Sequence, residues 1–254
     1  MTVKDVAELD HLPQDLEELN LGQCPELTTL AGMPEGLSHL WLDLWRPVEE
    51  VTTLDSDQCI VKFEGVEIIT DLAPLPQGLQ KLCLTTPLVS ELSGFPVGLQ
   101  ELWIYRTMGE VTIPTTLTKL AVLSLNNCYE VSDLSQLPAR LTELSLSGCL
   151  KISDLSQLPV GLTQLSISAC PEITDFSNLP EGLTTLRLSQ CVKPLNLTSL
   201  PSNLEDLQIW YCTEQVELPY LPRLTKLVLS HPERSNGVIV RNLEDYNRAW
   251  SSAQ

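Results

Sequence analysis

The chain has 254 residues, 43% of them apolar, and its 33 acidic against 15 basic side chains give a formal net charge of −18. Such a charge repels phosphate backbones and anionic bilayer surfaces, so neither nucleic acid nor a membrane is an expected partner. The start, Met1-Thr2-Val3-Lys4-Asp5, runs into Glu8 and Asp10 without an apolar stretch. It therefore reads as neither a cleavable signal peptide nor a spanning helix, and the expected location is the cytoplasm, or a host cytosol reached without a conventional signal.

Residues 1–11 precede a repeating phrase and are expected to cap it. The phrase is clearest as LPARLTELSLSGC, LPVGLTQLSISAC and LPEGLTTLRLSQC, beginning at Leu137, Leu158 and Leu179, a step of 21 residues. Aligned on this corner, units begin at Leu12, Met33, Leu54, Leu75, Phe95, Thr116, Leu137, Leu158, Leu179, Leu200 and Leu221, which makes about eleven coils over residues 12–230. The step from Leu75 to Phe95 is 20, and the last unit loses a residue between Pro222 and Leu224. A unit this short cannot bury its apolar face alone, so a fixed step implies a stacked solenoid with a shared core. The third coil, around Leu54-Asp55-Ser56-Asp57, lacks Pro and Gly but keeps Val61 and Phe63 in phase.

Within each unit the LxL segment, such as Leu144-Ser145-Leu146, alternates in the manner of a half-buried strand. Because every coil returns to the same place, the strands are expected to be parallel, about 4.8 Å apart, in a sheet about 50 Å long. The following Val131-Ser132-Asp133, Ile152-Ser153-Asp154 and Ile173-Thr174-Asp175 each bury one aliphatic group and then turn, since Ser, Thr and Asp bond local N–H groups. Asp71 and Glu91 continue this acidic line. The Leu-Pro corner then fixes φ and removes a donor, which discourages a helix on the return side. In residues 231–254, Val238-Ile239-Val240 can add a strand, and Asn242 can cap a helix carrying Leu243, Tyr246 and Trp250 on one face. That segment is expected to be a C-terminal cap or the start of a further domain.

Leu141, Leu144, Leu146, Cys149 and Ile152 match the core pattern of leucine-rich repeats, and the chain resembles that family over residues 12 to about 230. The short unit with its Leu-Pro corner is similar to YopM/IpaH-type repeats of secreted bacterial effectors. The Cys-x-x-Ile-Ser/Thr-Asp portion is similar to the cysteine-containing repeats of F-box proteins. Cys stands where the bacterial subtype has Asn. The resemblance implies a curved solenoid whose concave sheet binds protein partners, and, by the subtype, a bacterial effector. A second reading is the substrate-recognition part of a secreted ubiquitin ligase whose catalytic domain is absent from this chain.

Residues flanking the LxL leucines face the concave side in columns. Coils six to nine present mostly Ser there. Coils two to five present Trp41, Asp43, Lys62, Glu64, Trp103 and Tyr105, the side chains expected to hold a protein partner, because exposed aromatics on a rigid sheet bury much area at little entropic cost. Arg187 and Trp210 form a second, smaller patch. The acidic charge would favour a partner with a basic surface. On this alignment Asp43 and Glu64 occupy one column on adjacent coils, a separation also used by glycoside hydrolases, but with Lys62 beside them they read as a solvated charged surface. No catalytic residue is expected.

Cys24, Cys128, Cys149, Cys170, Cys191 and Cys212 share one repeat position. In-register parallel side chains do not reach the near-right-angle torsion of a disulfide, so these are expected to be buried structural thiols. The three histidines, His11, His39 and His231, are scattered, and no phosphate loop or paired CxxC occurs, so no metal or cofactor is expected. Cys83 differs in phase and is placed on the concave face.

Overall fold

The computed structural model describes residues 1–3, 6–22, 24, 27, 29–43, 52–54, 58–60, 72–85, 94–107, 109, 111–212 and 218–230. The strands in chain order are β1 (Thr2–Val3), β2 (Glu18–Leu21), β3 (His39–Asp43), β4 (Thr52–Leu54), β5 (Gln58–Ile60), β6 (Lys81–Thr85), β7 (Glu101–Tyr105), β8 (Val122–Asn126), β9 (Glu143–Ser147), β10 (Gln164–Ser168), β11 (Thr185–Ser189), β12 (Asp206–Trp210) and β13 (Lys226–Ser230). All but β4 and β5 form one 11-stranded sheet in the order β1-β2-β3-β6-β7-β8-β9-β10-β11-β12-β13. Every pairing in it is parallel, as a coil that always closes in the same sense requires. No helix occurs among the described residues.

The reason for the missing helix is local. Where the corner proline occurs it opens a turn closed by the leucine three residues on: Leu141 N–H donates to Pro138 C=O at 3.0 Å, and Leu162 and Leu183 repeat this with Pro159 and Pro180. One turn earlier, Leu137 and Leu158 donate to Leu134 and Leu155 at 3.3 Å. Two tight turns in succession bring the chain back to the sheet within the 21-residue unit and use the donors that a helix would need. Inside, the leucine columns stack into one continuous core. Leu141, Leu144, Leu146, Cys149 and Ile152 of a single coil are all at 0% exposure.

The third coil departs from the sequence expectation. His39 pairs with Lys81 and Asp43 with Thr85, so the register across this step is 42 residues, twice the repeat. β6 occupies the edge of β3 on which a strand carrying Val61 and Phe63 was expected, and no described residue of the third coil joins the sheet. Its described backbone is instead the antiparallel pair β4 and β5, with Leu54 opposite Gln58. Residues 61–70, and with them Lys62 and Glu64, lie outside the described residues, as do Asp71, Glu91 and the whole C-terminal segment 231–254.

Candidate functional site

Each strand buries its leucines and turns the residues between and beside them to the concave face, giving the alternation iBiBi of intermediate and buried positions in β6, β7, β9, β10 and β11. With β6 directly beside β3, the columns close up. Trp41, Cys83, Trp103 and Ser124 become consecutive in the middle column, and Asp43, Thr85, Tyr105 and Asn126 in the next. Trp41 and Trp103 therefore flank Cys83 directly, one strand to either side. Asp43 stands beside Thr85, where Glu64 was expected, so the sheet does not assemble the pair of carboxylates on adjacent strands.

Trp41 is 40% exposed and Trp103, Tyr105, Asp43 and Cys83 are half-buried. Burial, and then the negative charge of Asp43, push the Cys83 thiol up to about 11, so at neutral pH it is a protonated, weakly nucleophilic group. Burial and the neighbouring Cys83 also raise the Tyr105 phenol. Asp43 thus acts on Cys83, and Cys83 on Tyr105. A third column, which the sequence reading left aside, completes the patch. His39 lies on the same face as Trp41, their rings 6.4 Å apart and inclined by 17°. Lys81 and Glu101 form an ion pair across adjacent strands at 2.9 Å. The missed signal is the position just before the first strand leucine, where His39, Lys81 and Glu101 read in sequence as ordinary solvated residues.

Arg187 and Trp210 are brought together through Asp206 and Gln208, also absent from the sequence expectation. The Asp206 carboxylate accepts from Gln208 Nε2 at 2.9 Å and pairs with Arg187 at 3.5 Å and Lys226 at 3.3 Å. Trp210 Nε1 donates to Gln208 Oε1 at 3.4 Å. Between the two patches the face is small and polar. Asn126 Nδ2 donates to Ser124 Oγ and Ser189 Oγ to Ser168 Oγ, each at 2.8 Å.

The cysteine column lies at the upper corner of the solenoid. Cys128, Cys149, Cys170, Cys191 and Cys212 are buried thiols. Each is aimed inward by a left-handed residue immediately before it: Asn127, Gly148, Ala169, Gln190 and Tyr211 have φ between 50° and 62°. Cys149 Sγ donates to Leu125 C=O at 3.5 Å, and Cys170 Sγ to Ser168 C=O at 3.3 Å. Contacts between thiols within the group Cys128, Cys149 and Cys170, and within the pair Cys191 and Cys212, push Cys149 and Cys191 up and Cys128, Cys170 and Cys212 down. Thr107 fills the same position one coil before Cys128 and is fully buried, with its hydroxyl donating to Gly109 C=O at 3.3 Å. A hydroxyl and a thiol are interchangeable here because the position needs a small side chain with one donor. Among the described residues no group of three His, Cys, Asp or Glu is arranged to hold a metal ion. Nor is any described helix long and apolar enough to cross a membrane.

No protein-family model matches the chain. A probable disease resistance protein of Arabidopsis thaliana is 25% identical over 190 residues, covering 56% of this chain and 10% of that protein. The chain thus aligns with only about a tenth of the length of this relative. Among solved structures, an internalin, InlF of Listeria monocytogenes, superposes with a TM-score of 0.56 at 18% identity, over 90% of this chain and 72% of its own. CroV588, a circular leucine-rich-repeat protein, superposes with a TM-score of 0.50 at 18% identity, over 91% of this chain and 43% of its own. Single-strand coils, an all-parallel concave sheet, stacked leucine columns and these neighbours together establish that the chain has the leucine-rich-repeat fold.

Proposed function

We propose that this chain is a non-catalytic scaffold that binds a protein partner on its concave sheet, centred on Trp41, Trp103 and Tyr105. The observation that supports the reading is that Trp41 and Trp103 are the direct neighbours of Cys83 on adjacent parallel strands, with Tyr105 two residues beyond Trp103 on the same face, where the register between β3 and β6 steps by 42 residues. Aromatic groups on a backbone already fixed by solenoid packing lose little entropy on binding, which makes them strong anchors. The patch around Asp206, with Arg187 and Trp210, supplies a second contact on the same face. The net charge of −18 favours a partner whose surface is basic. The Leu-Pro form of the repeat supports a finer reading as a bacterial effector, or as the substrate-recognition part of a secreted ubiquitin ligase, acting in a cytosol.

The test is partner capture from cell lysate by the full chain, by a Trp41→Ala/Trp103→Ala variant and by a Ser145→Ala/Ser166→Ala control. Proteins retained by the native chain and the Ser control should be lost from the Trp variant at an unchanged melting temperature. Equal capture by all three sinks the reading.

A further inference from the structure

We propose that Trp41, Trp103 and Tyr105 form an aromatic cage over Cys83 that receives a lysine side chain of the protein partner, with its trimethylated form preferred. The inference deepens the proposed function and rests on it for the protein nature of the partner. Its geometry comes from the register. Trp41, Cys83 and Trp103 are direct neighbours on three adjacent parallel strands. Two strand steps put the Trp41 and Trp103 backbones about 9.6 Å apart, so a group seated over Cys83 lies about 5 Å from either column, inside the reach of about 6 Å at which a ring face attracts a cation. Tyr105 stands on the strand of Trp103, two residues along and on the same face, and closes a third side.

The floor decides what fits. Cys83 is small, and its thiol stays protonated well above neutral pH, so it neither repels a cation nor competes for one. The leucines on either side of it, Leu82 and Leu84, are fully buried and face away. A primary ammonium would give up strong hydration to enter such a cage, whereas methyl groups spread the charge and present apolar surface to the rings. Among the described residues, charges of both signs stand near the cage, with Arg106 exposed just beyond Tyr105. The Asp43 carboxylate is close enough to act on Cys83, and the ammonium of Lys81 is neutralised by Glu101 at 2.9 Å. His39 packs beside Trp41 and backs that wall.

The experiment titrates the full chain with acetyl-trimethyllysine methylamide, its unmethylated parent and the neutral isostere in which carbon replaces the quaternary nitrogen, followed by tryptophan fluorescence. Saturable binding is expected for the trimethyllysine probe, with the neutral isostere about tenfold weaker. Trp41→Ala and Trp103→Ala should each weaken the probe several-fold, while Ser145→Ala/Ser166→Ala leaves it unchanged. Trp41→Phe and Trp103→Phe, which keep a ring, serve if an alanine variant does not fold and should lose less. Absence of saturable binding, equal affinity for the neutral isostere, or full binding by the Trp variants overturns the cage. Trp-dependent partner capture without probe binding removes the cage and leaves the scaffold. Trp-dependent probe binding with Trp-independent capture does the reverse. Trp-dependent binding of phosphatidylcholine vesicles in preference to the lysine probe would assign the cation to a lipid headgroup and overturn the protein source.

Discussion

Gly98 follows the corner Phe95, at the start of the coil next to the one that is a residue short, and its backbone is drawn tight against that shortened neighbour. Gly98 N–H donates to Gln77 C=O at 3.1 Å, and a Cβ built on Gly98 would stand 2.6 Å from that same oxygen. Gly78, at the equivalent position one coil earlier, has nothing within 4 Å of such a Cβ. The position itself accepts side chains, since Lys119, Arg140 and Asn203 occupy it in later coils. Glycine is thus required by the close backbone approach in one coil only. Gly98→Ala should cost about 1–3 kcal/mol, as an overpacked site does, whereas Gly78→Ala should be neutral or stabilising by about 0.5 kcal/mol through the unfolded chain. Denaturant titration of the two variants checks this, and equal midpoints would contradict it.

The turn after each cysteine shows what a short element can do with one carboxylate. Asp133 accepts from Ser135 N–H at 2.7 Å and from Ser135 Oγ at 2.9 Å; Asp154 with Ser156 and Asp175 with Ser177 repeat the arrangement. In the next coil Asn196 takes the place of Asp, accepting from Thr198 Oγ1 at 2.7 Å. The bond from the Ser135 N–H, followed by that from its hydroxyl, lowers the Asp133 carboxyl, and Ser156 does the same for Asp154. A carboxyl depressed on folding stabilises above its unfolded value of 3.8, and that contribution is lost as pH falls through the lower folded value. Asp133→Asn/Asp154→Asn keeps an acceptor, as Asn196 shows, but removes the titration. The melting temperature of the native chain should therefore fall more steeply than that of the variant below about pH 4, where the free carboxyl begins to protonate. Parallel profiles would contradict it. These turns were legible in the sequence because Ser, Thr and Asp recur at one offset, as were the leucine columns and the strands. The third coil was not. An apolar alternation such as Val61 and Phe63 reads identically in a solenoid strand and elsewhere, and only pairing distinguishes them. That error carried into the site: it inserted Lys62 between Trp41 and Cys83 and Glu64 between Asp43 and Thr85. It concealed that the two tryptophans flank a single cysteine.

Across the whole molecule, stability comes from repetition while charge opposes it. Each coil adds the same leucine contacts and hydrogen bonds to its neighbours, so the fold grows by near-neighbour increments along one continuous core. The acidic side chains grow with it, to a net −18 on one elongated body, and compaction crowds them. The described ion pairs relieve this only locally. Lys193 pairs with Glu172 at 2.8 Å and Lys151 with Glu130, both on the exposed rim, where such pairs contribute little. Salt should therefore stabilise the chain, because screening the many like charges gains more than weakening these few pairs loses. Between about 10 mM and 150 mM NaCl the Debye length falls from about 30 Å to about 8 Å, shorter than most separations between coils along the sheet. The melting temperature should rise over that interval and then level off, and a neutral osmolyte at matched osmolality should not reproduce the step. A melting temperature that falls with added NaCl would show that the ion pairs on the rim, and not the summed acidic field, dominate the electrostatics of the folded chain.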